Sequence, residues 1–424
     1  MNRAETAAPG ISAGVAAATP AGRDRATWLL YLQMAVFAYF LYCFGPSVPL
    51  LGDDQHVSKA VAGLHSTGYA VGGLIVGLLG SRPVLWWGRG PALWGSLATL
   101  AAGVLVYGLG PWPAVTITGA MLCGLGGFAV VNLVAAAVVD HHGPDTGPGR
   151  LSEAHGIGAA VGMVAPLAIG GTQASGLGWR YGMLATPLLI ATLYALFRTT
   201  RIPGHDRIAA AAPTEHRTTP DRPLPRRYWW AWTVVVTAVA VEFSLSLWAS
   251  DLLRDRAGLS EGAAATAMTA VVAGLCAGRL AGGTLALRFP LTGLYLTALA
   301  VNFAGFAVLW LSTVPWLSFA GLFVAGCGMS VQFPLAVARS IECADGRSDL
   351  ATSRSALATA LAAGGAPFLL GLLADMLDTR TAFLIVPVFL AAAVPALLLS
   401  GRTPADPAGR APTGVSPSSG PGSS

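Results

Sequence analysis

The chain runs to 424 residues, of which 54% are hydrophobic and 11% charged, with a mean hydropathy of +0.62, against the roughly 25% charged residues of soluble domains. That balance excludes an ordinary soluble enzyme: twelve spans of about 20 residues, each crossing about 30 Å of hydrocarbon, use about 240 residues and leave the rest for loops and tails. The formal charge is +5, but 24 of the 25 cations are arginines scattered singly between apolar blocks, which excludes a nucleic-acid face.

In chain order, residues 1–27 read as a cytoplasmic tail, because Arg3, Arg23 and Arg25 precede the first apolar run without a cleavable signal pattern. Apolar runs bounded by Pro, Gly or charge then predict spans over 28–50, 59–80, 91–110, 114–138, 155–173 and 181–197, the last being the shortest. A polar linker over 198–228 carries seven Arg and five Pro. Six further runs follow, over 229–250, 262–285, 291–311, 316–338, 355–375 and 382–399, and residues 400–424 form a Pro/Gly/Ser-rich disordered cytoplasmic tail. Each run is predicted to be a helix, since an open strand would leave its backbone groups unpaired in lipid. The chain thus divides into an N-terminal six-helix bundle over 28–197 and a C-terminal one over 229–399.

Charge sets the orientation. With the N-terminus inside, the inner segments hold 19 Lys/Arg and the outer ones five, namely Lys59, Arg180, Arg254, Arg256 and Arg380, so the protein is expected to be a multi-pass plasma-membrane protein with both termini cytoplasmic. Trp28, Trp86, Trp87, Trp112, Trp179, Trp229, Trp230 and Trp316 fall near span ends, where an indole ring favours the headgroup zone. The five cysteines, Cys43, Cys123, Cys276, Cys327 and Cys343, lie in or beside apolar blocks and read as small core residues.

The halves align with one another. Gly124 and Gly126 fall over Gly326 and Gly328 at an offset of 202, Ser152, Ala165, Pro166 and Gly170 over Ser353, Ala366, Pro367 and Gly371 at 201, and the GLLGSR ending at Arg82 over the GTLALR ending at Arg288 at 206. Three matches at nearly constant offset, in the correct span order, indicate an internal duplication, the mark of a transporter built from two repeats with its site at their interface.

With six plus six helices, a basic central loop and a turn after the second and eighth spans, residues 28–399 resemble the major facilitator superfamily. The resemblance implies an all-α membrane protein that works by rocking of two pseudo-repeated six-helix bundles around a central cavity, with the first, fourth, seventh and tenth spans lining it. The family's turn is GxxxDR followed by Gly and basic residues. Here Ser81 and Leu287 stand where the acid is expected, and Arg82, Arg89 and Arg288 read either as gate residues or as inside-positive anchors. Gly158, Gly162, Pro166, Gly170 and Gly171 partly resemble the Gly/Pro motif of the family's antiporter branch, with Pro166 and Pro367 as helix-bending positions.

An ionisable group inside a span is a functional candidate by default. Glu242 in the seventh span is the first choice, as the proton-coupling carboxylate. Arg279 in the eighth is the second, placed to hold an anion or a carboxylate, with snorkelling to the interface as the plainer reading. Gln33, Tyr39, Asn132, Trp248 and Gln332 are the remaining substrate-cavity candidates, and His65 and Asn302 rank third. Asp140, His141, His142, Glu153 and His155 read as a solvated loop rather than a metal or pH-sensing group.

No metal or cofactor site, no Walker motif, no nucleophile elbow and no HExxH occurs, so an enzyme is not expected. The primary reading is a monomeric secondary transporter that couples a small organic substrate to protons, with efflux slightly favoured. The alternatives are a sugar or metabolite uptake symporter, or a receptor or scaffold on the same fold.

Overall fold

The computed structural model describes residues 22–80, 82–202, 223–286 and 288–401, and its described regular elements are helices. Twelve are long and apolar enough to cross a membrane: α1 Arg25–Asp54, α2 Lys59–Leu79, α3 Arg89–Leu109, α4 Pro113–Gly143, α5 Asp145–Ala174, α6 Trp179–Phe197, α7 Arg226–Ala257, α8 Glu261–Gly282, α9 Leu291–Leu311, α10 Pro315–Glu342, α11 Leu350–Met376 and α12 Thr379–Ser400. A short helix, Arg82–Trp87, links α2 to α3. Because the number of spans is even, both described ends of the chain come to one end of the bundle, here called the termini end.

Local chemistry explains where helices begin. Asp24, Ser58, Ser260 and Asp378 each accept a backbone N–H three residues on, at the starts of α1, α2, α8 and α12. Pro113 and Pro315 open α4 and α10, where a missing N–H costs nothing.

The duplication is physical. Gly72 of α2 lies against the backbone at Met121 and Leu125 of α4, and Gly274 of α8 against Phe323 and Cys327 of α10, every member of the second set being 202 residues after its counterpart. Likewise Gly126 abuts the amide of Leu100, and Gly328 that of Asn302. A Cβ at any of these glycines would strike backbone, so the same close crossings are built twice. Aromatic rings fill the first half around these crossings: Phe44 stacks on Tyr69 at 5.4 Å and meets Tyr107 at 5.4 Å, and Tyr107 is edge-on to the buried Trp179 at 6.0 Å. The bundles meet along three pairs, α2 with α11, α5 with α8, and α1 with α7.

Several expectations are corrected. The segment between the fourth and fifth spans is not an open loop: α4 and α5 extend through it and break at Gly143, whose φ of 79° suits glycine. Trp179 opens α6 as expected, but it faces protein rather than the surface. Its ring is buried and its Nε1 donates to Asp54 at 2.8 Å. In α5 the helical pattern is interrupted at Met163, where Pro166 supplies no N–H to the Gly162 carbonyl, whereas α11 runs unbroken through Pro367. Ser81 and Leu287, the tails over 1–21 and 402–424, and linker residues 203–222 lie outside the described residues.

Candidate transport site

One face of α1 carries Met34, Phe37, Ala38, Leu41 and Tyr42, a stripe at the helical spacing of three and four. It lines a cavity of about 190 Å³ together with Val131 of α4, His155, Gly158 and Ala159 of α5, Glu242 of α7 and Arg279 of α8. The site therefore takes side chains from both halves. Arg279 interacts electrostatically with Glu242, Tyr42 and His155, and among the described residues Glu242 and Arg279 form no direct ion pair. His155 and Arg279 are exposed, while Tyr42 and Glu242 are half-buried, which gives the cavity an open mouth and a shielded floor.

Away from the termini end the space narrows. A cavity of about 40 Å³ follows, lined by Tyr42, Gly45, Glu242 and Ser246, and then one of about 20 Å³ that reaches Pro46, Pro166 and Met268. Tyr42 borders all three, in the room left by Gly162, where a Cβ would meet its ring. Gly45 then lies against the Ser246 carbonyl, too close for any side chain.

Beyond that contact the halves are fastened by charge. Lys59 Nζ donates to Asp251 Oδ2 and to Thr379 Oγ1, both at 2.5 Å, while Asp375 accepts the backbone N–H of Lys59 at 2.8 Å and of Ala60 at 2.7 Å. Arg254 pairs with Asp53 at 2.6 Å and with Glu261 at 3.3 Å, and Gln173 Nε2 donates to Glu261 at 2.6 Å. Thr67 donates to the Gly364 carbonyl at 2.8 Å. The fastening obeys the repeat, for Lys59 and Asp375 correspond to Glu261 and Gln173 at an offset of 202 in each case.

At the termini end the ion pairs among the described residues stay within one half. Arg89 is buried and pairs with Asp140 at 2.6 Å. His141 meets Asp24 at 2.9 Å, His142 meets Thr27 at 2.8 Å, and Glu153 accepts from Arg23, Tyr31 and Arg150. The Asp24 carboxyl is pushed up by partial burial, but the Thr27 hydroxyl and amide outweigh this and hold it below its usual value. In the second half Arg227 pairs with Asp345, and Arg339 with Glu342 at 2.9 Å.

Of the residues singled out in the sequence, Glu242, Arg279, His155 and Gly158 line the cavity, and the remaining substrate-cavity candidates lie elsewhere. Tyr39 donates to the Gly182 carbonyl at 2.8 Å, Trp248 Nε1 to the Pro367 carbonyl at 2.9 Å, and Gln332 to the Ala298 carbonyl at 3.3 Å, all buried inside the helix packing. Gln33 and Asn302 are fully buried too. His65 is held between the Ala62 carbonyl at 2.9 Å and Thr116 Oγ1 at 2.8 Å. Asn132 lines a separate, largely apolar groove of about 640 Å³ bounded by α2, α3, α4 and the short helix with Trp86 and Trp87. Arg82 opens that short helix, and Arg288 follows α8, both exposed. Sequence reasoning missed Tyr42, which was legible in the α1 stripe, and read His155, the first residue of the fifth predicted span, together with the solvated cluster before it rather than with the cavity.

The family description "Major Facilitator Superfamily" matches residues 30–338 and again 254–419. The chain belongs to this superfamily. Members of known structure share its fold at low identity. A bacterial homologue of the human lysosomal transporter Spinster, in an inward-facing and occupied conformation, gives a TM-score of 0.72 at 15% identity, over 90% of this chain and 97% of that one. The nucleoside transporter NupG gives 0.70 at 11%, over 89% and 98%. The fucose:proton symporter FucP of E. coli gives 0.56 at 16%, over 89% and 98%. No curated protein sequence matches the chain. As a superfamily member it is a multi-pass membrane transporter of two six-helix bundles, and enzymatic activity is not a general property of that fold.

Proposed function

We propose that the chain is a proton-linked secondary transporter of small organic molecules, embedded as a monomer in the cell membrane with both termini cytoplasmic. The observation that carries the reading is the cavity between the halves, where Glu242 and Arg279 of the second face Tyr42 and His155 of the first. Glu242 is the proton carrier, because a carboxyl group at the floor of an interface cavity can exchange a proton with whichever side the cavity faces.

On the orientation that the arginines favour, the fastened end is extracellular, and the cavity opens to the cytoplasm. Rocking about the α1–α7 contact would then separate Lys59 from Asp251 and Arg254 from Asp53, exposing the same cavity to the outside. The inward-facing Spinster homologue supports this reading of the state. Efflux is the direction favoured by the Gly/Pro pattern of α5. Gly158 and Gly162 of that pattern seat α5 against α1, and Gly170 seats it against α8, so the motif lies on the surfaces that must slide.

The test is flux in proteoliposomes. Glu242→Gln should abolish substrate accumulation driven by a pH gradient while leaving counterflow exchange. Undiminished pH-driven accumulation would remove Glu242 from the mechanism.

A further inference from the structure

The transport reading leaves the substrate class open, and the charges facing the cavity narrow it. The titratable and charged groups there are Tyr42 on α1, His155 on α5, Glu242 on α7, and Cys276 and Arg279 on α8, while α4 contributes the apolar Val131. At neutral pH phenols and thiols carry no charge, so Glu242 is the one group that can be negative. With Glu242 ionised and His155 neutral the charges cancel. A proton on Glu242 leaves the Arg279 charge unbalanced, and a proton on His155 adds to it. In no protonation state is the sum negative, so an organic cation meets no net attraction here, whereas an anion meets attraction whenever Glu242 holds its proton.

We propose that the substrate is an organic anion, a carboxylate on a small apolar body, which binds Arg279 when Glu242 is protonated and so travels with one proton. A guanidinium offers a planar fork of donors that a carboxylate fits, and Arg279 is exposed at the mouth, where among the described residues it has no direct ion pair to displace and interacts with the Tyr42 hydroxyl. Met34, Phe37, Ala38, Leu41 and Val131 supply the apolar wall for the body. An ionised Glu242 competes for the same guanidinium and repels the incoming carboxylate. Proton and anion therefore raise each other's affinity by one common factor, as linkage requires. The proton comes from solution onto a Glu242 carboxylate oxygen and leaves with the anion, so each cycle moves no net charge. Such symport runs in either direction, set by the summed gradients of anion and proton.

This inference rests on the transport reading of the same cavity, and binding to the purified full-length protein separates the two. The probes are acetate, lactate and benzoate, with benzamide and benzylammonium as neutral and cationic partners of benzoate, measured by thermal shift and calorimetry at about pH 5.5 and about pH 8, where the carboxylates stay ionised. At least one carboxylate should bind about tenfold more tightly at the lower pH and take up a proton from weak buffer. Glu242→Gln should abolish the proton uptake that accompanies binding and remove most of the pH dependence, Glu242→Gln with His155→Gln should make the affinity independent of pH, and Arg279→Gln should abolish carboxylate binding while the protein still melts cooperatively. Tighter binding of benzylammonium than of benzoate, silence from every carboxylate, or unchanged carboxylate binding in Arg279→Gln would each overturn the assignment. Glu242-dependent proton flux with a cationic or neutral substrate would sink the anion class and leave the transport reading standing. Carboxylate binding with no flux would do the reverse.

Discussion

Lys59→Gln tests how the fastened end is held. The ammonium of Lys59 sits 2.5 Å from Asp251 and 3.8 Å from Asp255, with the Lys59 side chain 32% exposed and that of Asp251 9%. Stranding one partner of a fully buried pair costs about 3–5 kcal/mol, and an exposed pair is worth about 0–1 kcal/mol. Lys59 lies between these limits, and Arg254 remains 3.9 Å from Asp251, so a cost of about 1–2 kcal/mol follows. Opening at this end would part Asp251 from Lys59 and admit water to it, so the variant should shift the population toward opening by about 5- to 30-fold. A reporter is at hand in Ser246, which lines the narrow cavity just beneath. With the five native cysteines replaced by alanine, Ser246→Cys in membranes should react with an impermeant maleimide, applied to the face opposite the termini, about tenfold faster when Lys59→Gln is present. Adding Asp251→Asn removes the stranded carboxylate and should return much of the difference. Labelling rates equal within about twofold, in a protein that still melts cooperatively, would refute the argument that this pair holds the closed state.

Gly45→Val should stop transport while each half still folds, because the added Cβ strikes the Ser246 carbonyl only when α1 and α7 close; normal flux with a normal chromatographic profile would count against that contact. Asp24→Ala should cost about 1 kcal/mol near neutral pH, since Asp24 accepts from the Thr27 amide at 2.8 Å and hydroxyl at 2.6 Å. Because the folded carboxyl titrates below its unfolded value, that contribution is complete above about pH 4 and fades as pH falls through the folded value. Melting of variant and parent should therefore converge in acid, and a gap that persists there would exclude the cap as its source. Trp248→Phe removes the donor to the Pro367 carbonyl, and a loss of about 1 kcal/mol should appear as a lower melting temperature with the substrate affinity unchanged; altered affinity would place that ring in the substrate path after all.

Span order and the duplication were legible because lipid imposes length and composition on each helix, and because backbone crossings demand glycine at fixed places. The offset of 202 between Gly126 and Gly328 is the distance between two copies of one contact. Rotation of each helix was harder to read. Gln33 and Tyr39 share α1 with Tyr42, but only the phase of the stripe from Met34 to Tyr42 faces the other half. Gln332, chosen for its polarity, gives its amide N–H to the Ala298 carbonyl rather than to the cavity. His155 was grouped with the solvated residues before it because Pro and Gly around Gly143 resemble a long loop, although one glycine with positive φ is sufficient to turn α4 into α5.

The carboxylate of Asp375 completes the first turn of α2, a helix that belongs to the opposite bundle. The first amides of any helix lack partners within it, so the N-terminal bundle leaves part of its own backbone for the other to finish. Water can take over that role at an end that faces an aqueous compartment, and it does so at little enthalpic loss. The fastening at this end is thus made of bonds that solvent can exchange one by one. Deeper along the same interface, Gly63 against Phe368 and Gly45 against Ser246 have no such substitute, so separation would begin at the wet rim and meet its resistance further in.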